Sequence, residues 1–170
     1  MNTMLKKISG VFLAVLLIVG YIRTEAYAYK YNGYTISTPL SIPIYCSSTT
    51  YANKINTYAR KWNQCPEVYL YVGNSATAYI SSTVSSVSNG YYAITYNYTD
   101  DNHGIIFYNS WVNASNALKN EIIVHEFGHA LGLAHTQTSN YSISVMRASG
   151  YDGRSAVPLA DDKAGIAAKY

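Results

Sequence analysis

Residues 125–135 run His125-Glu126-Phe127-Gly128-His129-Ala130-Leu131-Gly132-Leu133-Ala134-His135, and no other stretch restricts the fold of this chain so tightly. Three of the four histidines lie inside it. Its five fixed positions, H-E-x-x-H-x-x-G-x-x-H, arise by chance in such a chain with a probability on the order of 10⁻⁵. A helix turns about 100° per residue, so His125 and His129 project from one face, one turn apart. Two imidazoles so placed reach one metal ion. Glu126 stands beside that face, within reach of a water on the metal without being a ligand. Ile123, Val124, Phe127 and Leu131 cluster on the other side, which predicts a buried stripe there and a cleft over the histidines. Gly132 tolerates the positive φ that breaks a helix sharply, so the chain can bend back and deliver His135 as a third ligand. Three histidines leave the fourth position of tetrahedral zinc open, and imidazoles around an open position favour zinc over other metals.

The N-terminus has the layout of an export signal. Lys6 and Lys7 precede an apolar run from Ile8 to Val19, and Ala26-Tyr27-Ala28 forms a cleavage site. The run is shorter than the roughly 20 residues that span a bilayer. Residues 1–28 are therefore expected to be removed, leaving residues 29–170 as one secreted domain with room for a core. The whole chain carries a net charge of +3, and loss of the basic leader leaves it nearly neutral. That balance gives no case for nucleic acid or an anionic membrane as partner. A monomer is expected. The nineteen tyrosines suit strand faces, where aromatic rings fit well.

Ser41–Cys46 and Val68–Val72 read as strands flanking a helix at Tyr51–Trp62, in which Tyr51, Ile55, Ala59 and Trp62 follow helical spacing. Strand, helix, strand predicts a parallel pair with a right-handed crossover. Ala76–Val84 is a weaker third strand. Tyr91–Tyr98 and Ile105–Tyr108 are strand-like runs around a turn at Asp100–Gly104. Asn113 or Ser115 can cap the motif helix, and Asp161–Lys169 is a final helix. Cys46 and Cys65 pose a conflict. Export favours a disulfide, whereas the crossover puts the two cysteines at opposite ends of a helix about 20 Å long.

Further residues beyond the motif resemble the metzincin metallopeptidases, and their matrixin-like branch in particular. Ser144-Val145-Met146 lies where that family places its Met-turn, with Met146 as the floor beneath the zinc. Leu159-Ala160-Asp161-Asp162-Lys163-Ala164-Gly165-Ile166 is similar to the matrixin C-terminal helix, and Gly104–Asn109 to its last strand before the zinc helix. The resemblance implies an α/β (α+β) fold: a twisted five-stranded mixed sheet with one antiparallel edge strand, Tyr91–Tyr98, and three helices. It implies one catalytic zinc on His125, His129 and His135, with Glu126 as general base and a protein or peptide substrate lying along the edge strand. Met146–Tyr151 would shape the pocket for the residue after the cut. Of Asp161 and Asp162, one would brace the Met-turn and the other meet a new N-terminal amine.

Some features depart from the family. His103 is the only spare histidine, too few for a second zinc site. Asp100 and Asp101 offer a calcium alternative, but a solvated turn is the simpler expectation. Ala148 stands two residues after Met146, so the tyrosine found there in astacin-like and serralysin-like branches is missing. Residues 29–40 are too few for a folded prodomain. The implied activity is a secreted zinc endopeptidase. The same residues leave open a binding module on this fold, or a zinc hydrolase acting on a non-peptide extracellular substrate.

Overall fold

The computed structural model describes residues 29–170. The expected export signal, residues 1–28, lies outside the described residues. Five strands form one sheet: β1 (Ile42–Cys46), β2 (Leu70–Val72), β3 (Ile80–Val84), β4 (Ala93–Thr99) and β5 (Asn102–Phe107). Their order is β2-β1-β3-β5-β4. All neighbours run parallel except β4, which pairs antiparallel with β5 and forms one edge. This is the mixed sheet that the family resemblance implies.

The helices are α1 (Ala52–Ala59), α2 (Asn109–Val112), α3 (Asn116–Ala130) and α4 (Ala160–Lys169). The one-turn α2 adds a fourth helix to the three expected. It buries Trp111 against Phe107 and Tyr51, a tertiary contact that gives no periodic signal. The helix expected over Tyr51–Trp62 tightens after Ala59 into a 3₁₀ segment, Arg60–Gln64. Two side chains hold that segment. Trp62 Nε1 donates to Val124 O of α3 at 2.9 Å. Asn63 brackets Leu70, accepting its N–H at 2.8 Å and donating to its carbonyl at 3.0 Å, and so draws the chain into β2.

Strand ends shift for local reasons. Asn74 Oδ1 accepts the amides of Ala76 and Thr77, an Asx turn that delays β3 until Ile80. On β5 the chain already pairs at Asn102, opposite Thr99, because the turn is confined to Asp100 and Asp101 and a register irregularity lies between Asn97 and Thr99. Asp100 and Asp101 spend their carboxylates on the N-terminal segment, through Thr35 N at 3.2 Å and Ser37 N at 2.8 Å. The turn is thus tied to the N-terminal segment.

The core lies between the sheet and helices α1 and α3. His103, Ile105 and Phe107 face inward along β5, alternating with more exposed neighbours, as a half-buried strand requires. Ser115 caps α3, its Oγ accepting the Leu118 amide at 3.2 Å. The alternative cap, Asn113, instead donates back to Asn109 O. The stripe Ile123, Val124, Phe127 and Leu131 is buried as expected, but so is nearly every residue from Glu121 to Ala130. From Glu121 to Ala130 the helix is a central element, open mainly at the cleft over its histidines, not an amphipathic one on the surface. Cys46 and Cys65 are both buried and unpaired, in keeping with the crossover geometry. Burial pushes the Cys65 thiol up to about 11.

Candidate active site

Helix α3 ends where the sequence requires a bend. Gly132 has φ +90°, and its amide and that of Leu133 bond back to His129 O and Gly128 O at 3.0 Å. A side chain at Gly132 would overlap Tyr34 O and Lys169. The N-terminal segment runs alongside this bend. Asn32 N donates to Gly132 O at 3.0 Å and Ala134 N to Lys30 O at 2.8 Å, while Asn32 Nδ2 donates to His129 O at 2.7 Å. The chain then turns back and brings His135 to the other two histidines.

Donor nitrogens of His125, His129 and His135 all lie within 4.8 Å of one another. Nε2 of His135 is 3.2 Å from Nε2 of His129 and 3.3 Å from Nε2 of His125. Zinc–nitrogen bonds of about 2.0–2.1 Å in a tetrahedron give nitrogen–nitrogen edges of about 3.3–3.4 Å. The three residues therefore fit a zinc ion. Their tautomers also suit one. His125 Nδ1 donates to Val145 O at 2.9 Å and His129 Nδ1 to Leu133 O at 2.8 Å, so each Nε2 keeps its lone pair. Burial keeps the rings neutral. It lowers His125 well below its ordinary value, helped by His129, and brings His129 down to about 4. His135 is lowered by the same cause.

Glu126 is buried beside the triad. Burial pushes its carboxyl up to about 7, against the opposing hydrogen bond from Thr95. Thr95 Oγ1, on the edge strand β4, lies 2.6 Å from Glu126 Oε2 and 3.0 Å from Glu126 O. Sequence reasoning did not find Thr95. The inward-facing position within β4 was the one available signal.

Met146 sits beneath the motif helix, only 2 % exposed. A Cβ on Gly128 would overlap Met146 Sδ and Trp62 Cζ2, so a glycine separates the two side chains there. The turn carrying Met146 hangs on Asp162. Its Oδ2 accepts the amides of Val145 and Leu159, each at 2.8 Å. Its Oδ1 accepts the Ser144 hydroxyl at 2.5 Å and, more weakly, Met146 N at 3.4 Å. Asp161 braces the loop after the third histidine, taking Thr136 Oγ1 at 2.6 Å and Asn140 Nδ2 at 2.9 Å. Thr136 N in turn donates to Met146 O at 2.8 Å, which ties that loop to the turn. His103 lies apart from the triad, its ring held between Asn97 Oδ1 and Asp100 O, each at 2.8 Å.

The loop after Met146 brings residues that the motifs did not single out. Arg147 and Glu121, both buried, form an ion pair. Glu121 Oε2 also accepts the amides of Asp152 at 3.2 Å and Gly153 at 2.6 Å. That anchoring turns Tyr151 inward, with its hydroxyl 3.1 Å from His125 Nε2 and 2.9 Å from Arg147 O. Position 148 is alanine as read, yet a tyrosine reaches the site from three residues further on. A cavity of about 530 Å³ runs over the triad between Gly90–Thr95 on one side and Ala148–Tyr151 on the other.

Sheet order, histidine triad and braced methionine turn together define a metallopeptidase fold of the metzincin kind. The matrixin family model matches residues 71–170, and the chain belongs to that family, whose members use zinc. No curated protein matches the chain in sequence. Among solved structures, two of myroilysin are similar. One has a TM-score of 0.59 at 15% identity, covering 82% of this chain and 97% of that one. The other has a TM-score of 0.56 at 18% identity, covering 86% and 96%. A GM1-bound ECX AB5 holotoxin matches with a TM-score of 0.60 at 16% identity, covering 82% and 83%. At such identities the likeness is one of fold. Among the described residues, no helix is long and apolar enough to cross a membrane.

Proposed function

We propose that this chain is a secreted, monomeric zinc endopeptidase in which His125, His129 and His135 hold one zinc ion and Glu126 is the general base. The observation that carries the reading is the pairing of three imidazoles at zinc spacing with a buried carboxyl, held by Thr95, beside them. A purely structural metal site has no use for that carboxyl. When bound, zinc supplies Lewis acidity, acidifying a water and polarising a carbonyl oxygen. Glu126, with Oε2 held by Thr95, accepts the proton of the water that attacks the scissile carbonyl, then returns it to the leaving amine. The substrate adds as an extended strand to the free edge of β4. Ala148–Tyr151, opposite that edge, flank the residue after the cut.

Glu126→Ala tests the reading. The three ligands and the core stripe are untouched, so the variant should fold and retain one zinc per chain by elemental analysis. Its cleavage of a peptide library should fall by roughly 10² or more, the scale of a positioned proton transfer. Two firmly bound zinc ions would overturn the single-site assignment. Peptide cleavage that survives the substitution would falsify the role of Glu126. Wild-type hydrolysis of simple esters but of no peptide would move the activity to a non-peptide substrate.

A further inference from the structure

We propose that the outer face of the sheet carries a binding site for a neutral oligosaccharide, apart from the histidine triad. Helices α1 and α3 cover the other face. Tyr45, Ser81, Gly104 and Tyr96 alternate with the inward positions of their strands and so point away from the core. Strand register sets these four in one row across β1, β3, β5 and β4. Tyr45 pairs with Ser81, Ser81 with Gly104, and Gly104 with Tyr96. The row reads large, small, small, large. Its two tyrosines stand three strand spacings apart at their bases, about 14 Å, with serine and glycine as a low floor between them. Tyr98, from the next outward position of β4, leans over Gly104, where a Cβ would meet its ring at 3.3 Å. That ring is nearly parallel to Tyr96, with 10° between the planes and centroids 6.3 Å apart. The result is a trough of about 280 Å³ with aromatic walls.

The chemistry of the lining selects the occupant. None of the residues around the trough is charged, so it offers no counter-charge to a nucleic acid, an anionic glycan or a lipid phosphate. It offers hydroxyls instead, one each from Tyr45, Ser81, Thr83 and Tyr98. Among the described residues, those of Tyr45, Ser81 and Tyr98 have no hydrogen-bond partner. A neutral sugar ring has the complementary surface, with C–H faces that pack on an aromatic plane and a rim of hydroxyls that both donate and accept. A peptide strand matches less well. β1, β3 and β5 are each paired on both sides, so the floor has no free backbone groups, and an added strand needs a sheet edge. A folded partner needs about 800 Å² of matching surface on each side, which this concave trough does not present. The outward residues of β4 wall the trough while its inward Thr95 touches Glu126. A glycan held there lies on the reverse of the strand that borders the cleft, so the site tethers the protein to glycan-bearing material beside its active centre.

Titration calorimetry on the full zinc-loaded chain tests this with neutral hexasaccharides of glucose, mannose and N-acetylglucosamine, and with heparin as a charged counterpart. At least one neutral sugar should bind, and heparin should not displace it. Ser81→Tyr fills the floor from a half-exposed position and should weaken binding roughly tenfold or more, as should Tyr98→Ala through loss of its ring. Ser81→Tyr should cleave an unglycosylated peptide as the wild type does, because position 81 lies on the far face of the sheet from the triad. Glu126→Ala should bind the sugar as the wild type does, so the peptidase reading can fail without this one and this one without it. No binding of any of the neutral sugars at about 10 mM, an affinity that Ser81→Tyr leaves unchanged, or displacement by heparin overturns the proposal. If Tyr98→Ala does not fold, Ser81→Tyr decides alone.

Discussion

Asp162 should matter to this fold far more than its place at the start of an exposed-looking helix suggests. It is 1 % exposed and accepts two backbone amides at 2.8 Å together with the Ser144 hydroxyl. In Asp162→Asn, one oxygen can still face Val145 N and Leu159 N, but those bonds lose charge assistance. A hydrogen bond to a charged group contributes about 1.5–3 kcal/mol and a neutral one about 0.5–1.5, so the two together lose about 2 kcal/mol. The new amide faces Ser144 Oγ, which can accept from it while still accepting Met146 N at 2.9 Å. The serine proton is then left without a partner. An opposing effect is that burial pushes the Asp162 carboxyl above its ordinary value, so removing the charge also removes a desolvation cost. The net expectation is about 2 kcal/mol, or roughly 5–8 °C in Tm for a domain of this size. Asp162→Ala leaves both buried amides without an acceptor and should cost more. Asp152→Asn is the control, because that carboxylate is about half exposed beside Arg154 and its loss should move Tm little. Calorimetry on zinc-loaded protein decides. Equal, small shifts in Asp162→Asn and Asp152→Asn would refute the idea that Asp162 carries the methionine turn.

Thr95→Val keeps the strand residue's shape but frees Glu126 Oε2, so kcat should fall roughly 10- to 100-fold, the scale of a misplaced catalytic group. KM and zinc content should hold, and Thr95→Ser should restore most of the loss; steady-state kinetics that leave kcat unchanged would exclude a positioning role. Gly132→Ala forces a side chain into positive φ, costing about 1–3 kcal/mol, and against Tyr34 O and Lys169. Tm should drop and zinc should bind more weakly by chelator competition, and normal affinity would show that His135 does not depend on this bend. Metal-free protein should lose stability on acidification from pH 7 to pH 5. All four histidines are held below 6.5 in the fold, so unfolding takes up protons at them as pH falls through that value. Glu126 and Asp162, both raised, act in the opposite sense but number only two. Thermal melts of chelator-treated protein should show this, and a flat or rising Tm would mean that the carboxyls dominate.

The residues that sequence reasoning found and those it missed differ in how their positions are set. His125, Glu126 and His129 sit on one helix, whose pitch alone fixes their relation, and Gly132 carries the bend in its own backbone. Each of those relations is local, so spacing reveals it. The parallel pairing of β1 with β2 was legible for a similar reason, since a strand–helix–strand connection allows few topologies. Thr95, Glu121, Arg147 and Tyr151 depend on packing between segments far apart in the chain. Thr95 reaches Glu126 only because β4 closes over α3, and that approach is set by the pairing of β4 with β5. Tyr151 reaches His125 only because a buried ion pair shortens the path of its loop. Before folding, Arg147 and Glu121 are two ordinary charges, and no pattern distinguishes them from solvated ones.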